Sequence, residues 1–228
     1  MRRLGLLVLG LVAVAATALA AQQSIAARLS GRASPEIVTL VQDLGSSAAS
    51  RGLPIDPLIQ KAIEGNAKGV PSERVATAVR LVYAQLDTAA VALRSAGPNS
   101  PPDTVEIAAG GFAITAGLRG RDIAELARTG RPAAAVTVGL RVAGTLAALG
   151  VPPAEAVTLV SASLRGGQAP GDLLALPGRL QSEIARGATP AQAAAGLARA
   201  AAAQARHGPP PHPGPPPHPP HPPAPPHP

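Results

Sequence analysis

Two consecutive runs of apolar residues, within positions 52–93, give the clearest hydrophobic pattern in the chain. Their apolar positions are Ile55, Leu58, Ile59, Ala62 and Ile63, followed by Val75, Val79, Val82, Leu86, Ala90 and Leu93. Steps of three and four residues are typical of an apolar stripe along an α-helix. Gly69-Val70-Pro71 separates the runs, since glycine favours a helix C-terminus and proline cannot continue a helix. The stretch therefore predicts two antiparallel helices joined by a short turn, with Ser72 capping the second.

Similar breaks recur downstream at a regular distance. The glycines that begin them are Gly130, Gly150, Gly167 and Gly187, at spacings of 20, 17 and 20 residues, and Gly52 and Gly69 are again 17 apart. We interpret this as a degenerate helical-hairpin repeat of about 37 residues, in the size range of helical solenoids. The alternative is a bundle whose helix ends simply use Gly and Pro. No sustained apolar–polar alternation predicts a strand. The predicted fold class is all-α, an array or bundle of short antiparallel helical hairpins over residues 34–206.

Local patterns refine this prediction. Residues 97–102 are a strong breaker, which we interpret as a loop within one array in preference to an interdomain linker. The helix predicted over 103–119 has an apolar stripe of Val105, Ile107, Ile114 and Leu118. Its central Gly110-Gly111 indicates close helix packing. Small residues such as Gly144, in the helix predicted over 132–149, indicate the same. Pro177 predicts two short helices between positions 172 and 186, and Thr189-Pro190-Ala191-Gln192 predicts a capping box.

The N-terminal residues 1–21 have the order of a secretory signal peptide. Arg2 and Arg3 precede an apolar run, and Ala18-Leu19-Ala20 has the small residues of a cleavage site. An uncleaved anchor is the alternative, because Leu4 to Ala21 contains no charge and reaches the lower limit of a membrane span. We expect cleavage, followed by a polar lead over residues 22–33. The predicted location is periplasmic or extracellular.

The C-terminal residues 207–228 differ from the rest of the chain. Residues 208–228 contain 14 of the 27 prolines, and all five histidines lie at or after position 207. Such a composition predicts a disordered tail with polyproline II character.

Four of the tail histidines share one edge of a polyproline II helix, which has 3 residues per turn. They are His212, His218, His221 and His227, separated by 6, 3 and 6 residues. Imidazoles bind metals, so these four are the candidate ligands for weak binding of Cu²⁺, Ni²⁺ or Zn²⁺. Neighbours three residues apart lie roughly 9 Å apart along the axis, which argues against a preformed chelate. The alternative is a stiff, soluble spacer.

Composition and charge exclude several classes of function. The chain has no cysteine, which excludes thiol catalysis and disulfides, and the absence of histidine before position 207 excludes His-based catalysis there. Acidic residues such as Asp103 and Glu106 are expected at helix starts and on polar faces, so we predict no catalytic or cofactor site. The net charge of +7 is dispersed, its densest group being Arg119, Arg121, Arg128 and Arg131. With 1% aromatic residues, nucleic-acid binding is not expected.

These observations favour an exported, non-enzymatic helical protein of the cell envelope. Its expected role is that of an interaction or structural module, with another envelope protein or an anionic envelope polymer as partner. We expect contact with the membrane only through an uncleaved signal peptide. A metal-buffering protein that acts through the tail is the alternative.

Overall fold

A computed structural model of the chain describes residues 24–97 and 101–207. All regular secondary structure in these ranges is helical. The helices are α1 (Pro35–Ser50), α2 (Asp56–Ala67), α3 (Ser72–Ser95), α4 (Thr104–Thr115), α5 (Gly120–Ala127), α6 (Ala133–Ala148), α7 (Pro153–Arg165), α8 (Pro170–Leu174), α9 (Leu176–Ala185) and α10 (Pro190–His207). Residues 24–29 are helical as well. The predicted all-α class is confirmed.

The apolar stripes of α2 and α3 form part of the hydrophobic core, as the sequence predicts. The fully buried members are Leu58, Ile59, Ala62, Val75, Val79, Leu86, Ala90 and Leu93. Ile55, Ile63 and Val82 are partly buried and pack against them. Apolar side chains at helical spacing therefore determine which faces of α2 and α3 are covered.

Glycines end the helices by adopting a left-handed backbone conformation. Gly69 has a φ of 65°, and its N–H donates to the carbonyl of Asn66 at 3.0 Å. The N–H of Val70 donates to the carbonyl of Gly65 at 3.0 Å, which completes a Schellman motif. The glycines of the repeated breaks all have positive φ: Gly52, Gly69, Gly130, Gly150, Gly167 and Gly187.

The helix starts follow the sequence predictions in part. Thr189 and Gln192 form the predicted capping box, with reciprocal backbone-to-side-chain bonds of 3.0 and 3.3 Å. Ala175 separates α8 from α9, and Pro177 is the second residue of α9, so the predicted interruption is confirmed. The predicted cap at Ser72 is wrong, because Pro71 occupies the N-cap position and Ser72 is already helical.

The helices lie in rows in which each contacts near neighbours along the chain. In the first row α1 contacts α3, α3 contacts α5, α5 contacts α7, and α7 contacts α10. In the second row α4 contacts α6, which contacts both α8 and α9. Helix α2 packs against α1 and α3. It lacks an extensive contact with α4 of the kind that joins α4 to α6. The second row is consequently discontinuous between α2 and α4.

Several side-chain contacts join residues that are 36 positions apart. Ser47 Oγ and Tyr83 Oη share a hydrogen bond of 2.8 Å, and Arg51 forms an ion pair with Asp87. Ser161 Oγ donates to Glu125 Oε1 at 3.5 Å, and Gln168 Nε2 donates to Gln204 Oε1 at 3.3 Å. The same sequence offset thus recurs along the first row and at its C-terminal end.

Small residues let α4 lie close to both α3 and α6. A Cβ atom added to Gly110 would lie 2.9 Å from Ala89 Cβ, and one added to Gly111 would lie 2.8 Å from Leu86 Cδ2. At Gly144 of α6 an added Cβ would lie 2.7 Å from Phe112 Cε1 and 3.1 Å from Ala113 Cα. The close packing predicted from these glycines is therefore confirmed.

The helix predicted over 103–119 ends earlier than its apolar pattern suggests. Helix α4 stops at Thr115, and Gly117 leads into α5 with a φ of 106°. Val105, predicted to lie in the apolar stripe, has 52% of its surface exposed, whereas Glu106 and Ile107 are buried. The first turn of α4 is therefore rotated relative to the predicted stripe, because the glycines fix which face meets α3.

The packed region begins before residue 34. Ile25 and Leu29, in the segment read as a polar lead, belong to the core, and Arg28 pairs with Asp56 at 2.5 Å. The predicted signal peptide (1–21) and the proline-rich tail (208–228) lie outside the described residues. Among the helices that are described, none combines the length and apolar character needed to cross a membrane.

Candidate binding sites

The four histidines predicted as metal ligands, His212, His218, His221 and His227, lie outside the described residues. Between residues 24 and 207, apart from the undescribed 98–100, no group of three or more His, Asp or Glu side chains could hold a metal ion. The described structure instead presents two sites beside the start of α4.

The first is a cavity of about 490 Å³ where the end of α3 meets the starts of α4 and α6. We call it the Glu106 cavity. Its described lining consists of Leu93, Ala96, Gly97, Pro102, Glu106, Ala127, Arg131, Pro132, Ala133 and Val136. Glu106 and Arg131 are the ionisable side chains in this set.

Glu106 reaches the cavity because Asp103 begins α4. The Asp103 carboxylate accepts the backbone N–H of Glu106 at 2.7 Å, which places Glu106 in the first helical turn. The Glu106 residue is only 9% exposed. Burial raises the pKa of its carboxyl group, and the charge of Asp103 raises that pKa further. Within the described residues, the side chain has no hydrogen bond or ion pair.

This arrangement was not predicted from the sequence. Asp103 and Glu106 have the spacing of a capping box, in which the second acidic residue would bond back to the first residue's N–H and stay at the helix surface. In the structure only the Asp103 half of that motif is present. Burial of Glu106 depends on how α4 packs, which leaves no signal in the spacing of the acidic residues.

Arg131 lies in the loop between α5 and α6 and also lines the cavity. Its Nε atom is sealed from solvent and, in the described part of the chain, has no hydrogen-bond partner. Its guanidinium group lies beside the turn at Gly167, where an added Cβ would be 3.8 Å from Nη1. No ion pair joins Arg131 to Glu106, so two opposite charges line one cavity without meeting.

The second site is an apolar groove of about 260 Å³ at the discontinuity between α2 and α4. We call it the Phe112 groove. It is lined by Pro57, Gln60, Lys61, Glu64, Val82, Gln85, Leu86, Ala108, Gly111, Phe112 and Thr115. Phe112 is the single phenylalanine of the chain, and 46% of its surface is exposed. Helix α3 supplies the floor through Val82 and Leu86.

Charged side chains stand along the α2 edge of this groove. Glu64 Oε2 lies 2.7 Å from Lys61 Nζ, and Glu64 Oε1 lies 2.5 Å from Lys68 Nζ. Hydrogen bonds from both lysines lower the pKa of Glu64 to about 2. One carboxylate shared by two ammonium groups leaves this edge with a net positive charge.

The densest basic group of the sequence is divided by the fold. Arg121 lies on α5 and Arg128 directly follows its end. Both line two shallow clefts of about 440 and 390 Å³, one towards α3 and one towards α7. Arg131 lies at the Glu106 cavity instead. Asp122 lies 3.5 Å from Arg121 and accepts the N–H of Arg119 at 2.8 Å, so acidic residues offset this basic face.

Comparison with protein-family models, with curated proteins and with solved structures finds no match to this chain.

Proposed function

We propose that this protein is an exported, non-enzymatic helical module that binds a segment of another envelope protein in the Phe112 groove. The observation that carries the proposal is the discontinuity between α2 and α4, which leaves an apolar groove with the half-exposed Phe112 in its lining. Half-exposed aromatic residues in grooves are typical anchors of protein interfaces.

The charges at the groove indicate the chemistry of the partner. The shared carboxylate of Glu64 leaves one positive charge between Lys61 and Lys68, and the whole chain carries +7. A groove of about 260 Å³ accommodates one large apolar side chain. The proposed partner segment therefore presents one large apolar residue with an acidic residue near it, because opposite potentials favour association.

The architecture proposed for the described region is an array of helical hairpins. Contacts at an offset of 36 residues support it, as they are close to the 37-residue period seen in the glycine spacing. The rows of helices also support it, since in solenoids each repeat contacts its neighbours. Such arrays offer long surfaces for partners, which agrees with an interaction role.

The groove can be tested with peptides selected from a random display library on the full chain. Selected binders should combine an acidic residue with a large apolar residue. Phe112→Ser and Lys61→Glu should each weaken their binding by about tenfold or more, because hot-spot residues carry most interface energy. Leu174→Ser is the matched control, because Leu174 is 61% exposed on α8 and lies away from the groove.

Retained binding in both groove variants would contradict the proposal. Phe112 also packs over Gly144, so the melting temperature of Phe112→Ser must be measured alongside its binding. Lys61→Glu provides an independent readout, because Lys61 is a surface side chain whose described partner is Glu64.

Export rests on the residue pattern of positions 1–21 and is tested separately. The mature protein should begin near Ala21 or Gln22 and be recovered outside the cytoplasm. N-terminal sequencing of native protein measures this directly. An intact Met1 in the membrane fraction would show that the segment is retained as an anchor.

A further inference from the structure

The Glu106 cavity contains two ionisable groups of opposite sign that are not neutralised by each other or by another described residue. Glu106 is 9% exposed and has no partner among the described residues. Arg131 is partly buried, and its Nε atom is sealed from solvent without a hydrogen bond in the described part of the chain. Buried charged groups in proteins are normally paired and hydrogen-bonded, because an unpaired charge is costly away from water. A pair separated by a cavity therefore indicates that a third molecule completes it.

The rest of the lining indicates the shape of that molecule. Leu93, Ala127 and Val136, together with Pro102 and Pro132, make much of the lining apolar. The volume of about 490 Å³ falls within the range of roughly 300–1,000 Å³ that is usual for small-ligand pockets. An aliphatic body fits these walls, with polar groups directed to the two charged side chains.

We propose that the Glu106 cavity binds a small zwitterion with an aliphatic body, in the chemical class of free amino acids and short peptides. The ammonium group of the ligand pairs with the Glu106 carboxylate, and its carboxylate pairs with the Arg131 guanidinium. Each contact is a charge-assisted hydrogen bond, which is roughly twice as strong as a neutral one. A ligand with only one of the two charges leaves the other side chain unpaired.

Matched ligands test each half of this arrangement. L-leucine and the dipeptide leucyl-alanine carry both charges, 3-methylbutylamine lacks the carboxylate of leucine, and 4-methylpentanoate lacks its ammonium group. Each is titrated into the full-length protein by calorimetry at neutral pH. We expect at least one zwitterion to bind, and the two singly charged analogues to bind about tenfold or more weakly, because each forfeits one charge-assisted contact.

Substitutions then assign the two charges. Glu106→Gln keeps the side-chain shape, and Arg131→Gln replaces the guanidinium group by a shorter neutral amide. Each should weaken zwitterion binding by about tenfold or more, since a charge-assisted contact is lost. Arg128→Gln is the control, because Arg128 lies on the same connection but lines the clefts beside α5 and not the cavity. Far-ultraviolet circular dichroism confirms that each variant is folded before it is titrated.

Proton release gives a second readout that a purely structural role of Glu106 would not produce. Burial raises the pKa of Glu106, and binding of an ammonium group favours its ionised form, so titrations in the mildly acidic range should release protons to the buffer. This release should be absent in Glu106→Gln. The proposal is overturned if neither zwitterion binds at millimolar concentration, if 3-methylbutylamine binds as tightly as leucine, or if Glu106→Gln binds unchanged.

Discussion

Val79 and Arg80 are adjacent in α3 but lie in opposite environments. Val79 is fully buried in the core, whereas Arg80 is exposed to solvent. Val79→Asp should lower the free energy of unfolding by several kcal/mol, because it buries an unpaired carboxylate or forces that group to stay protonated. Arg80→Asp should change it by about 0.5 kcal/mol or less, as is usual for surface substitutions. Urea denaturation of both variants measures the difference, and equal midpoints would show that the stripe is misplaced.

Glu106 should make stability depend on pH in the opposite sense to an ordinary paired carboxylate. Its pKa in the folded protein is raised above 4.5 by burial and by the charge of Asp103. Arg131, the cationic residue of the cavity's described lining, forms no ion pair with it. As pH rises, the unfolded chain loses this proton first, so ionisation of Glu106 destabilises the fold at neutral pH. Glu106→Gln should therefore melt above the wild type at pH 7, and the gap should close below a pH of about 4.

Glu64 provides a control of opposite sign. Its folded pKa is lowered from 4.5 to about 2 by Lys61 and Lys68, so its ionised form stabilises the fold above its unfolded pKa. Glu64→Gln should melt slightly below the wild type at pH 7, and that difference should fade as pH falls from 4.5 towards 2. Thermal melts at pH 7, 4 and 2.5 distinguish the two behaviours. Shifts of the same sign would contradict the environment assigned to Glu106.

The contrast between Val79 and Glu106 shows what sequence could predict at this scale. The apolar stripe of α3 can be predicted from the sequence, because apolar residues occupy nearly every position that faces the core. The first turn of α4 departs from its sequence pattern, because the apolar Val105 is exposed and the acidic Glu106 is buried. Its rotation is fixed by contacts of Gly110 with Ala89 and of Gly111 with Leu86, which no local pattern encodes.

At the scale of helices, glycine allows two helices to pack closely, and it also lowers the helix propensity of its position. Substitution by alanine can separate these two effects. Gly144→Ala places a methyl group 2.7 Å from Phe112 Cε1 and 3.1 Å from a backbone atom of α4. We expect it to destabilise the protein by roughly 1–3 kcal/mol, as overpacking usually does. This cost exceeds the roughly 1 kcal/mol that alanine gains over glycine in a helix.

Gly196→Ala is the matched control in α10. Nothing lies within 4 Å of a Cβ atom added there, so only the helix propensity changes. We expect a gain in stability of up to about 1 kcal/mol. Thermal denaturation of both variants checks the pair, and a stabilising Gly144→Ala would mean that α4 and α6 are less closely packed than described.

Helix ends were largely predictable because their chemistry is local. A glycine at the C-terminus and a proline at the next start act within a few residues, and the Thr189–Gln192 box needs no tertiary contact. Ser72 shows the limit of this reasoning. Whether a serine caps a helix depends on a boundary shift of one residue, which Pro71 determines here.

At the scale of the molecule, both candidate sites adjoin α3 and α4, where the spacing of the helix-ending glycines exceeds the proposed 37-residue period. Gly69 and Gly117, which precede α3 and α5, are 48 residues apart, whereas Gly150 and Gly187, which precede α7 and α10, are 37 apart. The extra length lies in the 24-residue helix α3 and in the connection to α4. The sequence predicts the break at residues 97–102. The separation of α2 and α4 at the Phe112 groove is seen only in the packing of the helices.

Deletion of residues 208–228 tests the role predicted for the tail. We expect the melting temperature to stay unchanged, because a proline-rich segment has little apolar surface with which to join a core. Any binding of Cu²⁺, Ni²⁺ or Zn²⁺ should disappear, as the deletion removes His212, His218, His221 and His227.

Calorimetric metal titrations of full-length and truncated protein at pH 7.5 and 5.5 measure this effect. Binding by the full-length protein should fade below a pH of about 6.5, where free imidazole takes up its proton. Equal metal binding by both forms would exclude the histidines as ligands. No binding by either would leave the tail as a spacer.

Contacts between near neighbours in the chain also determine how the protein responds to force. All the helix pairs in close contact across the described ranges are one or two elements apart, counting α8 and α9 as one interrupted helix. When the two ends are pulled apart, the force therefore passes through each pair of neighbouring helices in turn. Single-molecule stretching should show stepwise lengthening, with increments of roughly 12 nm if about 36 residues extend at 3.3–3.6 Å each. A protein held at both ends would therefore unfold one helical unit at a time. The least stable unit would unfold first, while the others stay folded.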